Sequence, residues 1–214
     1  MTAALLTLAD ARLPAGGHAH SGGVEQAISA GVITDPVTLE AFLRRRLTTS
    51  GAVAAGLAGA ACLAAGDRER LDLLDAEADA RTPGPALRTA SRQQGRGLVR
   101  VGRRSWPSAV WEALPALPHH PLALGVAAAA GGLTSSDAAL AAAYLSISGP
   151  ATAAQRLLAM DPITVAAVTV RLVPAVDDVV RRCGSTGDLS AATDPLLDLL
   201  AEVHAARKDR FFAS

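Results

Sequence analysis

The chain has 214 residues, half of them hydrophobic and 19% charged, a balance that belongs to folded chains and excludes wholesale disorder. Lys plus Arg and Asp plus Glu both number 20, so no global field would concentrate nucleic acid or an anionic membrane, and neither is expected as a partner. Aromatic residues make up only 3%, which leaves Ala, Leu and Val to fill the core; this favours closely packed helices with small residues at the crossings and predicts an all-α, single-domain helical bundle over residues 1–214.

In chain order, the first segment, about residues 1–25, carries glycines and histidines that a plain helical core would not use. Asp10 and Arg12 interrupt its apolar stretch and no basic region precedes it, so a signal peptide is not expected. Gly16 and Gly17 would permit positive φ or close backbone approach. Ser21 is the predicted N-cap of a helix through Ala27 and Ile28, with Glu25 near its first turn, either favoured by the helix dipole or solvated. Asp35-Pro36 marks the next helix start, followed by Leu39, Phe42, Leu43 and Leu47 on one face. Gly51 to Gly66 is apolar but shorter than the roughly 20 residues that cross a bilayer, and reads as a buried helix.

Thr82-Pro-Gly-Pro85 then divides an acidic segment (Asp67, Glu69, Asp72, Asp75, Glu77, Asp79) from a basic one in which Arg88, Arg92, Arg96, Arg100 and Arg104 recur every fourth residue. On a helix these form a winding cationic stripe. It either pairs with the acidic helix in a hairpin or offers a docking face for an acidic partner, with Arg92 and Arg96 as the candidate contacts. Gly95, Gly97 and Gly102 weaken this helix and suggest a bend. Further on, Thr134-Ser-Ser-Asp137 has the form of a capping box opening an Ala-rich run to Tyr144. Asp161-Pro162 and Asp194-Pro195 mark two more helix starts. Pro174 is expected to kink or end the first of these helices, and Leu196, Leu199, Leu200 and Val203 share one face of the second. No stretch alternates apolar and polar residues, so no sheet is predicted.

The residues exclude several chemistries. No GxxxxGK[ST] occurs, so nucleotide binding by a P-loop is ruled out. The five histidines include the pairs His18/His20 and His119/His120 and lone His204. The pairs lack acidic or Cys neighbours at a familiar ligand spacing, so hydrogen-bonding roles are preferred and neither metal nor cofactor is expected. Ala19-His-Ser-Gly-Gly23 looks like a nucleophile elbow around Ser21, but no strand precedes it and its first glycine is Ala, so no enzyme is predicted. Cys62 and Cys183 lie far apart and fit a reducing compartment, the cytoplasm. Phe211 and Phe212, beside Arg207, Lys208 and Arg210, would expose apolar area at a chain end unless docked on the protein's own core or on a partner.

Two patterns at opposite ends carry a family resemblance. Leu5 to Glu25 fits leu-leu-x-leu-ala-asp-x-x-leu-pro-x-gly-gly-(aromatic)-x-his-ser-x-gly-leu-glu, with His18 at the aromatic position, and His204 to Ser214 fits his-x-x-x-x-x-arg-leu-phe-x-ser, with Phe211 for Leu. Ser91 to Gly95 and His120-Pro121 ahead of Gly125 add weaker matches. The chain resembles the urease accessory protein UreF family. That resemblance implies a cytoplasmic, all-α homodimer that acts as a chaperone-like adaptor, not an enzyme. It would join UreD (UreH), recruit the GTPase UreG and promote GTP-dependent nickel insertion into apo-urease. The N-terminal motif residues are Asp10, Pro14, Gly16, Gly17, His20, Ser21, Gly23 and Glu25. The tail, His204, Arg207, Arg210, Phe211, Phe212 and Ser214, would bind UreD, mobile in the isolated chain and ordered on binding.

Overall fold

Aspartate and threonine caps set the helix starts. Asp35 accepts the Thr38 N–H at 2.8 Å, Asp161 that of Thr164 at 2.9 Å, and Asp194 that of Leu196 at 3.1 Å. Thr134 and Asp137 close a reciprocal capping box. The computed structural model describes residues 3–10, 13, 19–185 and 189–213, and among these it is all-α with no strand. The helices are α1 Ala3–Leu8, α2 Val24–Ser29, α3 Pro36–Arg46, α4 Ala52–Leu63, α5 Arg68–Ala80, α6 Pro85–Ser105, α7 His120–Ala130, α8 Ser135–Leu157, α9 Pro162–Ser185 and α10 Pro195–Ala206. Every one of them contributes buried apolar side chains to a shared cluster, which Phe212 of the tail also joins.

Helix α4 lies at the centre, packed chiefly on α7 and α8. The small residues expected at the crossings are there. A Cβ on Gly125 would overlap the Ala58 carbonyl oxygen and come within 2.8 Å of Ala61 Cβ and Cys62 N, so only glycine lets α7 approach α4 this closely. Helices α3 and α4 join through a π-helical turn at Leu47–Gly51. Thr49 Oγ1 donates there to the Arg45 carbonyl at 2.8 Å, and Gly51 leaves room for Ser146 of α8, whose Oγ would lie 2.6 Å from a Cβ.

Two expectations about helix breaks meet unbroken helices. Pro174 does not end its helix: α9 runs on to Ser185, because Val165, Val168, Leu172, Val176 and Val179 are buried along one side while Pro174 sits on the exposed side. Val170, whose carbonyl loses its partner to the proline, is likewise on the exposed side, at 67%. Helix α6 is likewise continuous through its glycines. Gly95 and Gly102 are seats for close neighbours: an added Cβ would overlap the Pro118 carbonyl oxygen at the first and the Trp111 ring at the second.

Candidate functional site

The two end motifs meet. Glu25, in the first turn of α2, is 3% exposed, and its carboxylate is surrounded by donors from the other end of the chain. Oε1 accepts the Phe211 N–H at 2.8 Å; Oε2 accepts the Phe212 N–H at 2.9 Å and lies 3.0 Å from His204 Nε2. Around this centre Arg207 donates to Gln26 Oε1 at 3.1 Å and to Ser29 Oγ at 2.8 Å. The Ala213 N–H reaches the Ala19 carbonyl at 2.7 Å. Gly23 takes the N-cap place with φ 89°, a left-handed conformation that favours glycine. Ser21 therefore stands before the cap, not at it, but its buried Oγ still accepts the Glu25 N–H at 3.3 Å. A fully buried hydroxyl so engaged has no approach for a substrate.

This clasp corrects the expectation of a mobile tail. Phe212 is 9% exposed and part of the core, with the Arg156 guanidinium 5.8 Å over its ring. A partner cannot use Phe212 as an anchor in this arrangement. Phe211, by contrast, is 86% exposed, and Leu199 and Val203 on the outer side of α10 are also open to solvent.

Burial by itself would raise the Glu25 pKa, but the hydrogen bonds from His204 and from the amides of Phe211 and Phe212 together outweigh it and hold the carboxyl below its usual value of 4.5. A carboxylate with a depressed folded pKa contributes stability that is complete above its unfolded pKa and lost as pH falls through the folded one. On acidification below about pH 4.5, the amides of residues 211 and 212 should lose hydrogen-exchange protection before the amides of α4 do. Equal protection down to global unfolding would contradict this account of the clasp.

A second network ties α5, α6 and the start of α7. Arg92 donates to Asp75 at 2.9 Å, to Asp79 at 2.7 Å and to the Leu117 carbonyl at 2.6 Å. His119 is buried, with Nδ1 3.0 Å from Ser91 Oγ and Nε2 2.9 Å from Asp79 Oδ1. Ser91 Oγ also accepts the His120 N–H at 3.1 Å. Desolvation would raise the Asp79 pKa, yet the bonds from His119 and Arg92 bring it below normal. Both His119 ring nitrogens are thus committed inside the fold, and so is Arg92. The hairpin and docking alternatives divide by residue: Arg92 is held in the hairpin, while Arg96, Arg100 and Arg104 are exposed.

Of the other predicted residues, Asp10 and His20 line a cavity behind Phe212, and Arg210 donates to the Ala205 carbonyl at 3.4 Å. Pro14, Gly16, Gly17 and Ser214 lie outside the described residues. Sequence reasoning did not single out Gln26 and Ser29 as tail partners; their place one helical turn apart, on the same short helix as Glu25, was the available signal. It also left Asp75 and Asp79 unassigned within the acidic run. Among the described residues no group of at least three His, Cys, Asp or Glu could hold a metal ion, and no helix is long and apolar enough to cross a membrane. Burial raises the pKa of both cysteine thiols.

The UreF family profile matches residues 33–173 of the chain. Among similar proteins, the urease accessory protein UreF of Mycolicibacterium vanbaalenii is 51% identical over 212 residues, covering 99% of this chain and 98% of its own length. The protein of the same description from Mycobacterium marinum is 51% identical over 213 residues, with 99% and 98% covered, and that from Mycobacterium tuberculosis is 47% identical over 215 residues, again 99% and 98%. These alignments include the clasped ends, which the profile match leaves out.

Proposed function

The chain belongs to the UreF family, and from that premise we propose that it is a non-catalytic adaptor in urease maturation, joining UreD (UreH) and the GTPase UreG in a complex that promotes GTP-dependent nickel insertion into apo-urease. In this reading residues 1–214 act as one domain in a cytoplasmic homodimer. GTP and nickel chemistry belong to the partners, and this chain supplies positioned surfaces. The observation that carries the reading is the clasp itself. Glu25, with both tail amides and His204 bound to it, holds the C-terminal segment so that Phe211 projects fully exposed from a fixed backbone. An exposed aromatic that needs no further backbone ordering is suited to anchor a partner. We assign it to UreD, and we assign the free portion of the cationic stripe, Arg96 and Arg100, to an acidic face of UreG.

Co-expression tests both assignments at once. The wild-type chain should co-purify UreD and UreG and restore urease activity with nickel. Phe211→Ser should lose UreD retention with little change in melting temperature, since its ring is already in water. The double variant Arg96→Glu/Arg100→Glu should keep UreD and lose UreG in a salt-dependent way. Full retention of both partners by both variants would overturn these surfaces, and failure of the wild-type chain to retain either partner would overturn the adaptor role.

A further inference from the structure

We propose that the cavity behind Phe212 is a binding site for a small oxyanion, of the phosphate or carboxylate type, with Arg46 as its principal ligand. The cavity has a volume of about 340 Å³ and is walled by α1, α3, α6, α7, α8 and the tail. Its polar lining includes Arg46, Gln94, His120 and Arg156, together with Asp10 and His20.

Arg46 is the reason to look here. Its Nε donates to the Ser146 carbonyl at 3.0 Å, and among the described residues neither Nη has an acceptor. A guanidinium carries five N–H donors and stays charged in proteins, so most of its hydrogen-bonding capacity faces the cavity without a protein acceptor among the described residues. Burial pushes its pKa down to about 10 with no opposing charge to restore it. The contrast within the same chain is sharp. Neighbouring Arg45 is matched in a fork by both oxygens of Asp194, each at 2.7 Å, and Arg92 by Asp75 and Asp79. Arg46 is only partly exposed, and a desolvated cation without an anionic partner is unfavourable until an anion completes it.

The seat is also shaped. Gly22, at φ 63°, lies against the guanidinium: a Cβ there would stand 3.3 Å from Arg46 Cζ and 2.8 Å from Pro150 Cγ. Among the described lining residues Arg156 brings a second cation to the wall, beside the single carboxylate of Asp10. Burial and the nearby His20 push the His120 pKa down to about 4, so at neutral pH it offers the ligand a neutral ring with one donor and one acceptor. The volume falls at the small end of ligand pockets, which suits an inorganic oxyanion or a short carboxylate.

Thermal shift and isothermal titration of the full chain with sodium phosphate, and separately with sodium acetate, against sodium chloride at equal ionic strength, test the site and distinguish the two anion types. Phosphate, acetate or both should raise the melting temperature in a saturable way that chloride does not reproduce. Arg46→Met should abolish that shift while melting, without anion, at or above the wild-type temperature; Arg46→Lys should weaken binding about tenfold, one decade in Kd. Absence of any selective shift in the wild type, or a shift that persists in Arg46→Met, overturns the proposal. Should Arg46→Met fail to fold, Arg156→Leu serves in its place: about tenfold weaker phosphate or acetate binding supports the site, and unchanged binding overturns it.

Discussion

Glu25→Ala should release the C-terminal clasp and lower the melting temperature on the order of 10 °C, following a loss of about 3–5 kcal/mol when one partner of a buried charged cluster is removed. The reason is geometric. Three donors converge on this carboxylate: His204 Nε2 and the backbone N–H groups of Phe211 and Phe212. Truncation leaves all of them without this acceptor. The Phe212 N–H and His204 are buried, so to reach water the tail must lift away and take Phe212 out of the core. Glu25→Gln is the informative companion. It keeps one acceptor oxygen and the shape of the side chain, and should lose less stability than the alanine variant. Calorimetry with hydrogen exchange at residues 211 to 213 separates the cases. A Glu25→Ala protein that melts like the wild type with those amides still protected would show that the clasp is incidental to the fold.

The clasp also changes what a tail truncation means. Deleting residues 210 to 214 removes the Phe212 ring from the core and strips Glu25 of two donors, so lost partner binding would be mixed with lost stability. Phe211→Ser avoids the confusion, because that ring is exposed in the free chain.

The local grammar of this fold is legible in the sequence, and the long-range pairings are not. Asp35, Asp161 and Asp194 announce their helices because capping is a contact over two or three residues. Thr134 and Asp137 do so for the same reason. Both end motifs can be recognised separately, yet nothing in either announces that Glu25 binds Phe211 and Phe212, which lie 186 and 187 residues away. A carboxylate that accepts backbone amides leaves no complementary residue type to search for. The arginine stripe shows an intermediate case. Four residues overshoot one helical turn by about 40°, so a row at every fourth position winds around its helix. Arg92 consequently faces Asp75 and Asp79 of α5 while Arg96 faces solvent, a division that depends on where α5 packs. Pro174 misleads because its effect is judged locally, whereas the buried valines on the other side of α9 decide the outcome.

The glycines give the sharpest contrast in sign. Gly95→Ala should destabilise the chain by about 3 kcal/mol, even though alanine gains roughly 1 kcal/mol of helix propensity at an interior position. An added Cβ would overlap the Pro118 carbonyl oxygen and stand 3.0 Å from His119 C and 3.1 Å from His120 N. These are backbone atoms and cannot rotate aside. The strain therefore falls on the segment that presents His119 to Ser91 and Asp79, so the His119 and Arg92 network should loosen along with the α6–α7 packing. Gly125→Ala, which meets the Ala58 carbonyl, should fail in the same direction at the α4–α7 crossing. Gly149 is the control. It sits inside α8 with no atom within 4 Å of a Cβ, so Gly149→Ala should stabilise by about 0.5–1 kcal/mol through propensity and a less entropic unfolded chain. Denaturant titrations of the three variants decide the matter. If Gly95→Ala and Gly149→Ala move the midpoint in the same direction, the close backbone approach at Gly95 does not govern its role.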